Sequence, residues 1–190
     1  MKKLILAAVL ACASLAAQAA VFTVDAKTNS YVGGVGLGAV DLAPNQVFSI
    51  NVSPGDLWSA GDLPRWSNAN GLTTNLFATG SDESGAAAGT LIGMDFPSYT
   101  HSGFTAPYGA LVGEIAGQFY TLGTSFIGSS PTGGVLNLFY WDENGFDNAG
   151  SVDVSVEVRP EPAAVPEPGS LLLLGMGVLG LLGARARRRV

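Results

Sequence analysis

Three carboxylates and two carboxamides crowd residues 142–148, where Asp142, Glu143, Asn144, Asp147 and Asn148 surround Gly145 and Phe146. A hard cation such as Ca2+ takes six to eight oxygen ligands at about 2.3–2.6 Å, and a tight Asp/Asn/Gly turn can bring side-chain and backbone oxygens to one point. The stretch lies between two strand-like runs and lacks the twelve-residue spacing of a helix-flanked calcium loop, so a site here would be a strand-to-strand one. An ordinary solvated hairpin turn draws on the same residue types and is the plain alternative.

Other residues offer less. The C–H face of a sugar ring stacks on an aromatic side chain. Trp58, Trp66 and Trp141 are the candidates, with core burial the competing role for each and Trp66, in the polar run Arg65-Trp66-Ser67-Asn68, the least core-like. His101 is the single histidine, and no G-x-S-x-G elbow accompanies it, so it reads as a surface-loop residue. Gly34-Val35-Gly36-Leu37-Gly38 lacks a following lysine and helix, and reads as glycine-rich strand rather than phosphate loop. Asp142 and Glu143 are a carboxylate pair, but adjacent residues at a strand end point apart, which argues against shared acid–base catalysis and for a non-enzymatic chain.

The elements that must hold the acidic stretch are strands. In 151–158 every even position is valine and every odd one polar, which predicts one buried and one wet face. The run 135–141 is more continuously apolar and predicts a central strand. Residues 110–115 and 118–122 predict a hairpin turning at Ala116-Gly117. Shorter candidates are 21–24, 31–37 and 47–52, and the Ser/Gly/Ala-rich run 73–89 predicts a long surface loop. Many short strands joined by Gly, Pro and Asn turns indicate an all-β, antiparallel sandwich spanning 20–158.

Taken in order, several segments resemble the PA-I type galactophilic lectins of bacteria. They are 47–52 with Gly55-Asp56-Leu57-Trp58, then 107–115, then 134–142, then Asp147-Asn148-Ala149-Gly150 and the closing valine strand. The resemblance implies a jelly-roll-like β-sandwich that binds one Ca2+, through which sugar hydroxyls are held. It implies Asp142, Asp147 and Asn148 as side-chain ligands, with backbone carbonyls near Phe146 and from 58–60 completing the shell. Asp142 and Trp66 are then the candidates for contact with sugar. The loop is shorter than in sugar-binding members, Asp147 stands where they have asparagine, and their sugar-contacting His and Gln have no counterpart here.

Both ends of the chain point to export. Residues 1–19 combine Lys2 and Lys3, an apolar stretch and an Ala17-Gln18-Ala19 exit, the pattern of a cleaved signal peptide. Cys12, the only cysteine, lies inside it, so the mature chain is expected to lack thiols and disulfides. A lipoprotein signal ending at Cys12 is the alternative reading. At the other end, a Pro-rich linker (159–168) leads into an uncharged apolar run (169–184) and an arginine-rich tail (185–190). Sixteen helical residues reach about 24 Å, just short of a bilayer core, and the arginines are expected to stay in the cytoplasm. Pro166, Glu167 and Pro168 ahead of that helix resemble a PEP-CTERM sorting tail, which implies recognition and cleavage by an exosortase at the inner membrane.

Between the signal peptide and the Pro166-Glu167-Pro168 motif stand fourteen acidic residues and three basic ones, Lys27, Arg65 and Arg159. Such a surface repels nucleic acid and suits divalent cations or plain solubility. The expectation is an exported surface or matrix protein whose calcium-stabilised sandwich meets extracellular polysaccharide. A purely structural matrix protein with no ligand site is the alternative.

Overall fold

A computed structural model describes residues 18–159. The N-terminal segment up to residue 17, the linker from 160, the apolar run 169–184, the tail 185–190 and the Pro166-Glu167-Pro168 motif lie outside the described residues.

The described residues are all-β and contain no helix. Fourteen strands follow in chain order. They are β1 (Gln18–Asp25), β2 (Leu37–Leu42), β3 (Val47–Val52), β4 (Trp58–Ser59), β5 (Trp66–Ser67), β6 (Leu76–Phe77) and β7 (Leu91–Gly93). Then come β8 (Tyr99–His101), β9 (Phe104–Ala106), β10 (Leu111–Ile115), β11 (Gln118–Thr121), β12 (Ser125–Ser129), β13 (Gly134–Tyr140) and β14 (Ala149–Val158).

Every strand pairing is antiparallel. One sheet runs β12-β3-β14-β4-β5, with β1 also paired to β14, and the other runs β11-β10-β13-β2. Phe48 and Ile50 of β3 and Val152, Val154 and Val156 of β14 meet Leu111, Ile115, Leu136 and Leu138 of the second sheet in one apolar cluster. Val152, Val154 and Val156 of β14 are buried as the alternation predicts and Val158, at the strand end, is partly buried; each fully buried side chain contributes about 1.5–3 kcal/mol by leaving water. β13 is central, between β10 and β2.

The 110–122 hairpin turns where expected. Ala116 and Gly117 both have positive φ, 50° and 83°, as a two-residue turn that follows the strand twist requires.

Two expectations fail. The 31–37 segment is not a strand, because its first part turns and β2 begins only at Leu37. Val35 N–H donates to the Thr28 carbonyl (2.9 Å) and Asn29 Nδ2 to the Val35 carbonyl (2.9 Å), which folds the chain back on itself. The ring of Phe139 occupies the space where a side chain at Gly36 would stand, so this glycine serves close approach rather than strand pairing. The 73–89 segment is not all loop either, since β6 pairs with β7 and Ala78 and Ala86 pack with Leu57 and Ile92 under that ribbon. Leu76, Ala78 and Ala86 are what the run gives to this satellite cluster, and they are too sparse to show a period.

Candidate functional site

The acidic stretch joins β13 of one sheet to β14 of the other, so the chain crosses between the layers there. Asp142 follows the buried pair Tyr140 and Trp141, and this carries its side chain inward, to 4% exposure. Burial pushes its carboxyl up to about 6. Hydrogen bonds from the Asn144 N–H (3.2 Å to Oδ1), the Asn148 amide and the Glu143 N–H pull the other way, while the charge of Asp147 adds to the rise. A carboxylate in this position is short of positive charge.

Asn148 is buried beside it, at 5% exposure. Its Nδ2 donates to the carbonyl of Ala26 (3.1 Å), which fixes the amide plane, and its Oδ1 has no hydrogen-bond partner. A buried acceptor left unpaired costs about 1–3 kcal/mol. Asp147 is exposed and accepts from Asn144 Nδ2 at 3.0 Å. Its other oxygen faces Gly61, just past β4, where the Ser59 hydroxyl and the Gly61 carbonyl are joined. The structure thus gathers Asp142, Asp147, Asn148 and the turn that follows Trp58 at one end of the two sheets.

Among the described residues no three His, Cys, Asp or Glu side chains group as a metal centre. The donor set on offer is two carboxylates, one amide oxygen and neighbouring carbonyls, which is hard-oxygen chemistry. Glu143 turns elsewhere. Glu143 is exposed where Asp142 is buried, and burial followed by the nearby Glu143 carboxylate raises Tyr108.

Sequence reasoning missed two groups. Ser30 Oγ and the Tyr140 hydroxyl are buried without partners. Ser30 packs against Gly145 of the acidic stretch, and Tyr140 is held well above its ordinary range by burial and then by the charges of Asp142 and Asp147. No local pattern marks either one, because their isolation is set by what packs around them.

The tryptophans divide. Trp58 and Trp141 are fully buried, with indole N–H groups donating to the carbonyls of Gly109 (2.9 Å) and Tyr99 (3.0 Å). In the β4–β5 ribbon Trp58 pairs with Ser67, and Ser59 with Trp66, so Trp66 faces away from the Trp58 side and packs in the Leu57–Ile92 cluster. Trp66 is therefore not brought together with Asp142. His101 sits exposed in the β8–β9 hairpin, its Nδ1 2.9 Å from the Tyr99 hydroxyl.

Curated proteins offer no match to the chain. Among solved structures, one described as "EclA N-terminal domain; PllA-like lectin" is similar at 20% identity and a TM-score of 0.47, over 73% of this chain and 95% of that one. Residues 164–189 match the model of the PEP-CTERM protein-sorting motif, so the chain ends in the signal of an exported protein that is sorted by an exosortase.

Proposed function

We propose that the exported domain is a non-catalytic, jelly-roll-like β-sandwich that binds one Ca2+ through Asp142, Asp147 and Asn148 and presents it to polysaccharide at the cell surface or in the surrounding matrix. The observation that carries this reading is the orphaned Asn148 Oδ1, buried next to an equally buried Asp142 and close to a second carboxylate. Ca2+ would supply the missing positive charge there and polarise vicinal sugar hydroxyls. Ala26 holds the Asn148 oxygen in place, and the Asn144 N–H and Nδ2 groups steady one oxygen on each carboxylate. Carbonyls at 59–61 and near Phe146 are the natural complement to these side chains. The sorting motif at 164–189 supports the destination, since it marks the chain for export.

A glycan array probed with full-length protein in mild detergent tests the reading. Binding that needs calcium, vanishes in chelator and is lost in Asp142→Asn is the expected result. Arrays that stay blank with and without calcium would leave a structural matrix protein instead.

A further inference from the structure

A cleft of about 140 Å³ opens beside the β4–β5 ribbon, away from the acidic stretch. Trp66 and Leu76 give it apolar walls; Asn68, Asn70, Thr73 and Thr74 line the remainder with amides and hydroxyls. No ionisable side chain lines it, so it has nothing to fix a phosphate, a carboxylate or an amine. Its volume is well below the roughly 300–1,000 Å³ of pockets that take drug-sized ligands or cofactors. An aromatic wall facing neutral hydrogen-bonding groups, in a space of this size, matches one uncharged pyranose ring.

The state of these groups favours a ligand over simple packing. Trp58 and Trp141 spend their indole N–H groups on buried carbonyls, whereas Trp66 is only half-buried and makes no such bond among the described residues. Asn68 and Asn70 are held from behind. Asn68 Nδ2 donates to the Pro54 carbonyl (3.2 Å), and Asn70 Oδ1 accepts from the Thr124 N–H (2.9 Å), which places the Asn70 amide nitrogen with no acceptor of its own among the described residues. Fixed donors beside an aromatic wall are a preorganised arrangement, which lowers the ordering cost of binding.

We infer that this cleft is a second saccharide subsite, which takes a neutral pyranose residue on Trp66 without calcium. The inference rests on the carbohydrate reading of the domain but not on its metal. With the calcium-dependent site on the β13–β14 connection, one chain would hold two sugar segments and could bridge polymer strands. Effective concentration would then raise avidity for a polymer well above that for a single sugar.

The test is a titration of full-length protein, in EGTA, with methyl glycosides of glucose, galactose, mannose and N-acetylglucosamine, followed by tryptophan fluorescence. Trp58 and Trp141 are enclosed, so a response reports on Trp66. A saturable change with at least one glycoside, weakened tenfold or more by Thr74→Val or Thr73→Val, is expected. Trp66→Phe keeps an aromatic ring on the Leu57–Ile92 cluster, and saturation-transfer NMR should show its sugar contact reduced. No saturable response to any glycoside in EGTA, or a response unaltered by both threonine variants, would overturn the subsite. A response seen only with added calcium would overturn it as well, while leaving the calcium reading intact. A response in EGTA from a protein that calcium does not stabilise would support this subsite and remove the other.

Discussion

The carboxylate of Asp147 rests on the bare α-carbon of Gly61, so closely that a methyl group there would stand 2.6 Å from Oδ2. This contact ties the start of β14 to the turn after β4 and brings the carbonyls of 59–61 within reach of the acidic stretch. Gly61 also has φ +120°, which side-chain-bearing residues rarely adopt. Gly61→Ala should therefore displace Asp147. Calcium affinity, read by titration calorimetry, should fall at least tenfold, and stability in urea should drop by about 1–3 kcal/mol from backbone strain. Unchanged affinity would mean that this turn takes no part in the site.

Neighbouring residues on β13 face opposite ways, and their truncations should differ accordingly. Leu136 is wholly buried between the sheets, whereas Val135 is 47% exposed. Leu136→Ala should cost about 2–5 kcal/mol in chemical unfolding. Val135→Ala should cost under about 0.5 kcal/mol, as surface changes do. Comparable losses would place β13 in a different register.

The β10–β11 turn leaves room for improvement. Ala116 holds φ 50°, a conformation that costs an alanine about 1–2 kcal/mol and that asparagine tolerates. Ala116→Asn creates the Asn-Gly pair preferred at such turns. It should raise the midpoint of unfolding, with a gain of about 0.5–1 kcal/mol. A lower midpoint would show that the turn has another geometry.

These positions also show what the sequence disclosed. The valines of β14 and the turn at 116–117 carry their own signal, a two-residue period and a Gly-bearing break between apolar runs, and both fold as read. The glycines of 33–38 suggested a strand because a glycine names no cause. At Gly36 the cause is the ring of Phe139, distant in sequence and visible only once packed. The acidic stretch was legible because Asp and Asn are few and clustered. That Asp142 and Asn148 are buried and Asp147 exposed was not, since burial follows from the chain crossing between sheets. The orphan hydroxyls of Ser30, Ser67 and Tyr140 left no trace in sequence at all.

A further prediction concerns pH. Asp82 accepts from the Ser84 hydroxyl, the Thr79 N–H and the Thr79 hydroxyl (2.9 Å), and these bonds hold its carboxyl at about 2. In the unfolded chain it returns to about 3.9. The unfolded state thus binds the proton first as pH falls, so the contribution of Asp82 is complete above about pH 4 and is lost towards pH 2. Between these limits the wild-type protein should lose more stability than Asp82→Asn, and amide exchange at Thr79 and Ser84 should quicken in parallel. Parallel curves for the two proteins would contradict this.

The central claim is that Asp142, Asp147 and Asn148 hold calcium, and thermal unfolding of the full-length protein in calcium and in EGTA tests it most directly. A ligand bound only by the folded state at a hundredfold excess over its Kd adds about 2.7 kcal/mol. The account predicts a midpoint several degrees higher in calcium, reversed by EGTA, not reproduced by the same concentration of magnesium, and absent in Asp142→Asn. A midpoint that calcium and chelator both leave in place would contradict it.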